Sequence, residues 1–398
     1  MKIRRPRTRY CDIVVLLFAL LPIVDSVNGV MVRSGFGSVG ILYKAMIALF
    51  LFTYLAVHGA LKRKGLGCVL LAVLYILFSY GVNHRIGEVS QVQTGAMVKV
   101  IFNIVLFALL MRSVSCGLIS GDTIFQILDT TAWVFAAAFL IPYVLGVGYG
   151  VYAGGIGYKA FFYSQNEISF AIIVLFYTVL YKVSLKMEIL SVIQLLLMLL
   201  CGVLINTKSC VFGCLAGMGV WILHILWKEK LRYKIMVTAA AALGTAVLWK
   251  KLAKAIGNII VRFNALDKKY GSSLLTTILS ARNVKAEKAY TELIDSRFPV
   301  FKTLFGNGFH TGYSVEMDLV DAFFYLGILG AIAVVFFWVI LAVKSSGNLR
   351  RDGVSVRLFG LLVALFFSFC TGHVIFMATS GCYFALFCCF YLTYSRKQ

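Results

Sequence analysis

Apolar runs of about 18 to 25 residues, separated by short polar stretches, recur along almost the whole chain; at 1.5 Å of rise per residue, each can cross about 30 Å of hydrocarbon. They begin near Ile13, Ile41, Leu66, Met97, Ile124, Ile168, Ile189, Val211, Ile235, Leu319, Leu358 and Thr379. The pattern predicts an all-α integral membrane protein of about 12 transmembrane helices. Residues 1–249 carry helices one to nine, 250–316 form one long polar loop, and 317–398 carry helices ten to twelve. Within the loop, apolar and basic positions mix over Lys251 to Leu266 and Ala286 to Ile294, as expected of short helices lying at a membrane interface. A loop this long is usually functional or disordered, and its aromatic and aliphatic content argues against disorder.

Composition sharpens this picture. With 61% hydrophobic and 14% charged residues and a mean hydropathy of +0.91, the chain has too much apolar surface for an ordinary soluble domain. The N-terminal MKIRRPRTRY and the apolar run after it have two parts of a signal peptide but no clear small-residue cleavage site, so a retained first helix is expected. Ten cysteines lie in or beside the apolar runs, with no paired CxxC metal site.

The formal charge of +22 arises from 38 Lys and Arg against 16 Asp and Glu. The basic residues are scattered between apolar runs rather than gathered on a soluble domain, which points to membrane lipid and anionic substrate and away from nucleic acid. If the N-terminus is cytoplasmic, inner segments hold 21 of the 38 basic residues and short outer loops four: Arg33, Arg85, Lys159 and Lys208. That asymmetry predicts N-in, C-in topology with the long loop outside.

Against this basic background, GNGFHTGYSVEMDLVDAFFYLGILG at residues 306–330 concentrates three carboxylates: Glu316, Asp318 and Asp321. Asp318 and Asp321 share a helix face at the mouth of the tenth span. Carboxylates at this depth tend to face a bundle interior or a wet cavity, although the first turn of a helix also favours them. Asn166 and Glu167 open the sixth span after the glycine-rich GVGYGVYAGGIGYKA, where the glycines are most simply turn formers. Basic candidates on the same face are Lys44, Lys99, Lys208, Arg262 and Arg282; the two intramembrane lysines have snorkelling as a plainer explanation. Arg282 is the strongest, because a planar guanidinium can hold a pair of phosphate oxygens. His310 is a candidate general base.

The NE opening a helix after a glycine-rich loop, the TKS of LINTKSCVFGC, one long loop holding an arginine, and a GxG exit leading to a span with GxxG together resemble the bacterial O-antigen polymerase (Wzy-type) and O-antigen ligase superfamily. The resemblance covers most of the chain in layout and rests on short motifs. It implies glycosyl transfer on the outer face of the bacterial cytoplasmic membrane, from a polyprenyl-diphosphate-linked oligosaccharide to an acceptor hydroxyl, with no nucleotide sugar, cofactor or required metal. A flippase and a chain-length regulator would be protein partners. By the same resemblance Arg282 binds the donor diphosphate. Glu316 stands where family members often carry a histidine before GxxG, so either Glu316 or His310 takes the acceptor proton. Asp318 and Asp321 would order cations beside it.

Polymerisation of surface-polysaccharide repeat units is the preferred expectation. Ligation of a finished chain to another acceptor uses the same donor chemistry, and a flippase without chemistry is the reading from another class. The absence of a half repeat and the gathering of ionisable groups at one surface weigh against a flippase.

Overall fold

The computed structural model describes residues 7–61, 63–86, 91–152, 157–228, 249–250, 253–254, 256–261, 263–268, 274–352, 355–370 and 372–394. In the first half, α1 (Arg7–Ala19) and α2 (Leu21–Arg33) are followed by α3 (Val39–Val57), α4 (Arg63–Ile86), α5 (Gln91–Ser115) and α6 (Gly121–Val144). Then come α7 (Gln165–Leu185), α8 (Ile189–Ile205) and α9 (Lys208–Lys228). After the polar interval come α10 (Leu274–Ile278), α11 (Arg282–Ile294), α12 (Pro299–Phe305), α13 (Asp318–Asp352), α14 (Ser355–Cys370) and α15 (Ala378–Thr393).

Seven of these stretches are long and apolar enough to cross a membrane: Arg9–Arg33, Val39–Val57, Gly67–His84, Val92–Ser115, Gly121–Val144, Gln165–Leu185 and Asp318–Ser345. Four shorter apolar helices stand where further spans are expected: Ile189–Ile205, Lys208–Leu223, Val356–Cys370 and Ala378–Thr393. The run predicted to begin near Ile235 lies outside the described residues. Outward-facing Leu, Ile, Val and Phe on α3, α4, α8 and α13 give the bundle the apolar exterior that a hydrocarbon solvent requires.

The helices sort their polar ends. At one end Arg357 is fully buried and donates to the carbonyls of Phe390, Tyr391 and Tyr394, capping α15. Lys182 there bonds both oxygens of Asp129 at 2.8 Å. At the opposite end Arg33 holds the carbonyls of Phe161, Phe162 and Tyr163, pinning the glycine-rich connector. Two of the cations used to infer topology are therefore helix and loop clamps rather than headgroup contacts. The core is centred on α7, whose side chains are enclosed nearly all round by α6, α8, α9, α14 and α15.

The glycine motif near residues 306–330 has a specific mechanical cause. Gly327 has φ +71 inside α13 and breaks the helix, and a Cβ there would stand 2.2 Å from the Leu304 carbonyl oxygen. Gly306, also at positive φ (+84), faces the Tyr325 carbonyl with the same 2.2 Å clearance, so the two backbones cross where only glycine fits. The carbonyls freed by the break are taken up: Asn307 N–H donates to Phe324 at 2.7 Å, Gly308 N–H to Tyr325 at 3.2 Å, and Tyr75 O–H to Leu326. Ser79 of α4 bridges the crossing by donating to Phe305 and Tyr325. A broken span is tolerated where freed groups find partners inside protein, as these three carbonyls do.

The long interval packs onto this break. Ala289 and Leu293 of α11 join Tyr313, Val315, Met317 and Phe324 in a small separate core, which docks the loop on the mouth of α13. The expected helix over Ala286 to Ile294 is the body of α11, which starts earlier, at Arg282. The described residues of the other expected stretch, 253–254, 256–261 and 263–266, are helical.

Candidate active site

Where α11 meets the mouth of α13, the backbone is held in costly conformations. Ser280, Ala281 and Glu316 all have positive φ (+56, +62 and +67) without being glycine. Such strain persists only where surroundings enforce it, and it tends to mark functional positions. Here it flanks an ion cluster: Arg282 Nη2 lies 3.1 Å from Glu316 Oε2, and Lys285 Nζ lies 3.2 Å from Oε1. Each carboxylate oxygen thus holds one cation. Burial alone would raise the Glu316 pKa, but Lys285 and Arg282 outweigh it and hold the group below the usual carboxylate range. Lys208, from the TKS turn, donates to the Thr277 carbonyl and to Ser280 Oγ, both at 3.2 Å, and so braces the segment that presents Arg282. That turn is itself set by Asn206 in the left-handed region at the end of α8.

Beside the ion cluster is a second group that the sequence reading did not anticipate. His373, on the connector between α14 and α15, accepts or donates at Nε2 to Ser314 Oγ (2.8 Å), and its Nδ1 stands 3.0 Å from Asp321 Oδ2. The latter contact is close enough for an ion pair but is not aligned as a straight hydrogen bond. With the ring proton on Nδ1, facing Asp321, Nε2 is left as the acceptor. Burial disfavours the charged ring, yet Asp321, Asp318 and Glu316 together push the His373 pKa above its ordinary value.

Among the described residues Asp318 and Asp321 meet backbone amides, a hydroxyl and His373 rather than Lys or Arg side chains. Asp321, fully buried, accepts the Val315 and Met317 amides at 2.7 and 2.8 Å and faces His373. Asp318 accepts the Ser368 hydroxyl and the Val374 amide, the latter at 2.9 Å. The two carboxylates therefore fix two connectors, 314–317 and 373–375, and bring Glu316 and His373 to one rim. His310 stays outside: it is exposed, and its Nδ1 accepts the Gly312 amide within its own turn.

The remaining predicted residues divide. Glu167 reaches the same connector, accepting the Thr379 amide at 3.0 Å, and Asn166 is its neighbour near Gly372, where a built Cβ would stand 3.7 Å away. Lys44 is buried and ion-paired to Asp25, which also accepts from Thr379 Oγ1. Lys99 lies on α5 near Met377. Arg262 lies outside the described residues. Sequence reasoning missed Ser314, Lys285, Ser368, Asp25 and His373. For His373 a signal was present: it falls between two predicted spans, at the end where the topology places the other candidates.

Below the rim, α4, α5, α13 and α15 enclose an apolar cavity of about 570 Å³, lined by residues including Tyr75, Phe107, Leu326 and Trp338. Ile375 and Phe376 form its ceiling, one turn of chain from His373. Among the described residues no group of three or more His, Cys, Asp or Glu side chains is placed to hold a metal. No protein-family model and no curated protein matches this chain.

Proposed function

We propose that the protein is a membrane glycosyltransferase that polymerises polyprenyl-diphosphate-linked oligosaccharide units on the outer face of a bacterial cytoplasmic membrane, with twelve spans and both termini inside. The observation that carries this reading is the Arg282, Lys285 and Glu316 cluster standing beside Ser314, His373 and Asp321 on one rim, above an apolar cavity. A lipid-diphosphate donor needs each of these parts. Its diphosphate displaces the Glu316 carboxylate from Arg282 and Lys285, which then neutralise charge as the sugar C–O bond breaks and polyprenyl diphosphate leaves. The acceptor hydroxyl takes the place of the Ser314 hydroxyl at His373 Nε2, gives its proton to the ring, and forms the new glycosidic bond. Asp321 steadies the imidazolium that results. The apolar cavity receives part of the isoprenoid chain.

The geometry favours His373 over Glu316 and His310 as base. His373 Nε2 already meets a hydroxyl, that of Ser314, whereas Glu316 faces the two cations that the donor would occupy and His310 faces away in its own turn.

The test is the sugar-polymer profile of host cells lacking the protein and complemented with wild type or Arg282→Ala, with membrane insertion checked. Loss of polymer, with single lipid-linked units displayed outside, is expected in the null and the variant. Units retained inside would show a flippase instead. Polymer of full length that is released rather than attached would show a ligase.

A further inference from the structure

A second cavity, of about 230 Å³ and partly polar, borders the start of α15 at Ala378 and Thr379. Asp25, Asn28, Ser38, Lys99, Glu167 and Thr379 are among its lining residues. Three observations indicate an unfilled role. Asp25 is only 4% exposed, and among the described residues its Oδ2 receives no hydrogen bond, although Lys44 and Thr379 both use Oδ1. Lys99 Nζ, among the described residues, reaches only the thioether sulfur of Met377, 3.8 Å away, a poor acceptor for an ammonium. Among the described residues Glu167 commits only Oε2, to the Thr379 amide. Asp25 is buried and Lys99 and Glu167 are half-buried, and charges withdrawn from water with idle hydrogen-bonding capacity are costly unless a ligand completes them.

This cavity adjoins an apolar one of about 360 Å³, lined by Ala45, Val98 and Phe102 among others. The two share Ile41, Lys44, Lys99 and Ala378. Because Lys44 is neutralised by Asp25, Lys99 supplies the available positive charge at the junction. A molecule spanning both must therefore be apolar at one end, anionic in the middle and rich in hydroxyls at the other. The carboxylates of Asp25 and Glu167 accept hydroxyl protons and would repel a phosphate placed at the head, so the anionic group belongs at Lys99.

We infer that this pair of cavities is a second lipid-linked sugar site, distinct from the Arg282 cluster, holding the acceptor: isoprenoid chain between α3 and α5, phosphate at Lys99, and lipid-proximal sugars against Asp25, Asn28 and Glu167, which leaves the terminal sugar to extend past the connector to His373. The inference rests on the glycosyltransferase reading above for the word acceptor, and on the cavities themselves for the site. The connector joins the two sites directly, since Thr379 in the cavity and His373 at the rim are six residues apart in one short segment.

The experiment counts bound ligand by native mass spectrometry of the full chain in phosphatidylcholine nanodiscs. The probe is the lipid-linked oligosaccharide pool extracted from host cells lacking the protein. Wild type should bind two molecules, Lys99→Met one, Arg282→Ala one, and the double variant none. Glu167→Gln, which keeps the hydrogen bond from Thr379, should retain the second molecule but weaken it about tenfold. One molecule on wild type, two on Lys99→Met, or equal displacement of the second molecule by phosphatidylglycerol would overturn the inference. If two bind while Arg282→Ala cells still make polymer, the site stands and the proposed function falls. If one binds while Arg282→Ala abolishes polymer, the function stands and the site falls.

Discussion

Replacing Asp321 with Asn tests the rim most directly, because the change keeps shape and removes charge. The carboxylate accepts two amides, Val315 and Met317, at 2.7 and 2.8 Å, and opposes His373 at 3.0 Å. An asparagine has one acceptor oxygen, so one buried amide is left unpaired and the other loses a charged partner. At about 1–3 kcal/mol for the orphaned amide, with a further fraction for the weakened bond, the 314–317 connector loses about 2–4 kcal/mol of ordering. If that ordering is needed to present Ser314 and Glu316 in the transition state, the rate falls about 30- to 1,000-fold. The pH profile carries an independent signature. Asp321 helps hold the His373 pKa above its ordinary value, and a base works only when neutral, so wild-type activity should rise with pH through that elevated value. In Asp321→Asn the acidic limb should move to lower pH. The stability linkage has the matching sign: protonation of His373 stabilises the wild-type fold below about pH 6.5, and this contribution is lost as pH rises through the folded value. The variant should show less of it, since Asp318 and Glu316 still act on the ring. The assay is polymer formation in nanodiscs from extracted lipid-linked units, across pH. A limb that stays fixed or moves upward, with a rate within about twofold of wild type, would refute the assignment of His373 and Asp321.

Three further outcomes are expected. Gly327→Ala places a Cβ 2.2 Å from the Leu304 carbonyl at φ +71, so the variant should fail to give a monodisperse peak in detergent chromatography. Arg357→Met strips α15 of the donor to three carbonyls at 3.0 to 3.3 Å and should cost about 3 kcal/mol or more, read as a lower melting temperature, with Arg357→Lys restoring only part. His310→Ala should leave polymer length and rate within about twofold of wild type, since its hydrogen bond serves only its own turn; loss of polymer there would return the proton-acceptor role to the loop.

Much of the fold was legible because apolar run length is a direct consequence of hydrocarbon thickness. Helices near Ile13, Ile41, Leu66, Met97, Ile124, Ile168, Ile189, Val211, Leu319, Leu358 and Thr379 all exist. Helix α8 shows the limit: 17 residues end at Asn206 in a left-handed turn, and no run of hydropathy announces such an end. The Arg282 to Glu316 pairing was legible in its parts, since each stood out by charge type and place, but their contact depends on α11 folding back onto α13 through a small core of Leu293, Val315 and Phe324. His373 was overlooked for a related reason. Its partners are 52 and 59 residues away in sequence, and no local spacing encodes a contact made by the crossing of two connectors. The role of Asp318 and Asp321 could not be read either: i, i+3 spacing places two carboxylates on one face but does not say whether cations or amides await them.

The way this end of the bundle spends its acids explains why a chain so short of carboxylates concentrates them here. Asp318 and Asp321 hold four backbone amides between them, Glu167 holds a fifth, and Asp25 takes the Thr379 hydroxyl. These bonds fall on the 314–317 and 373–377 connectors and on the first turn of α15, stretches whose N–H groups have no helical partner of their own. Carboxylates supply acceptors that neutral side chains would match less well, and their charge then sets the histidine between them. Glu316 differs, because its oxygens face exchangeable cations rather than amides. Its bonds can be surrendered to an incoming anion without unravelling either connector, whereas those of Asp318 and Asp321 cannot. The same site thus separates rigid carboxylates that position the rim from one carboxylate whose partners are side-chain cations, and under the proposed function that division would let a diphosphate enter without dismantling the connectors beside it.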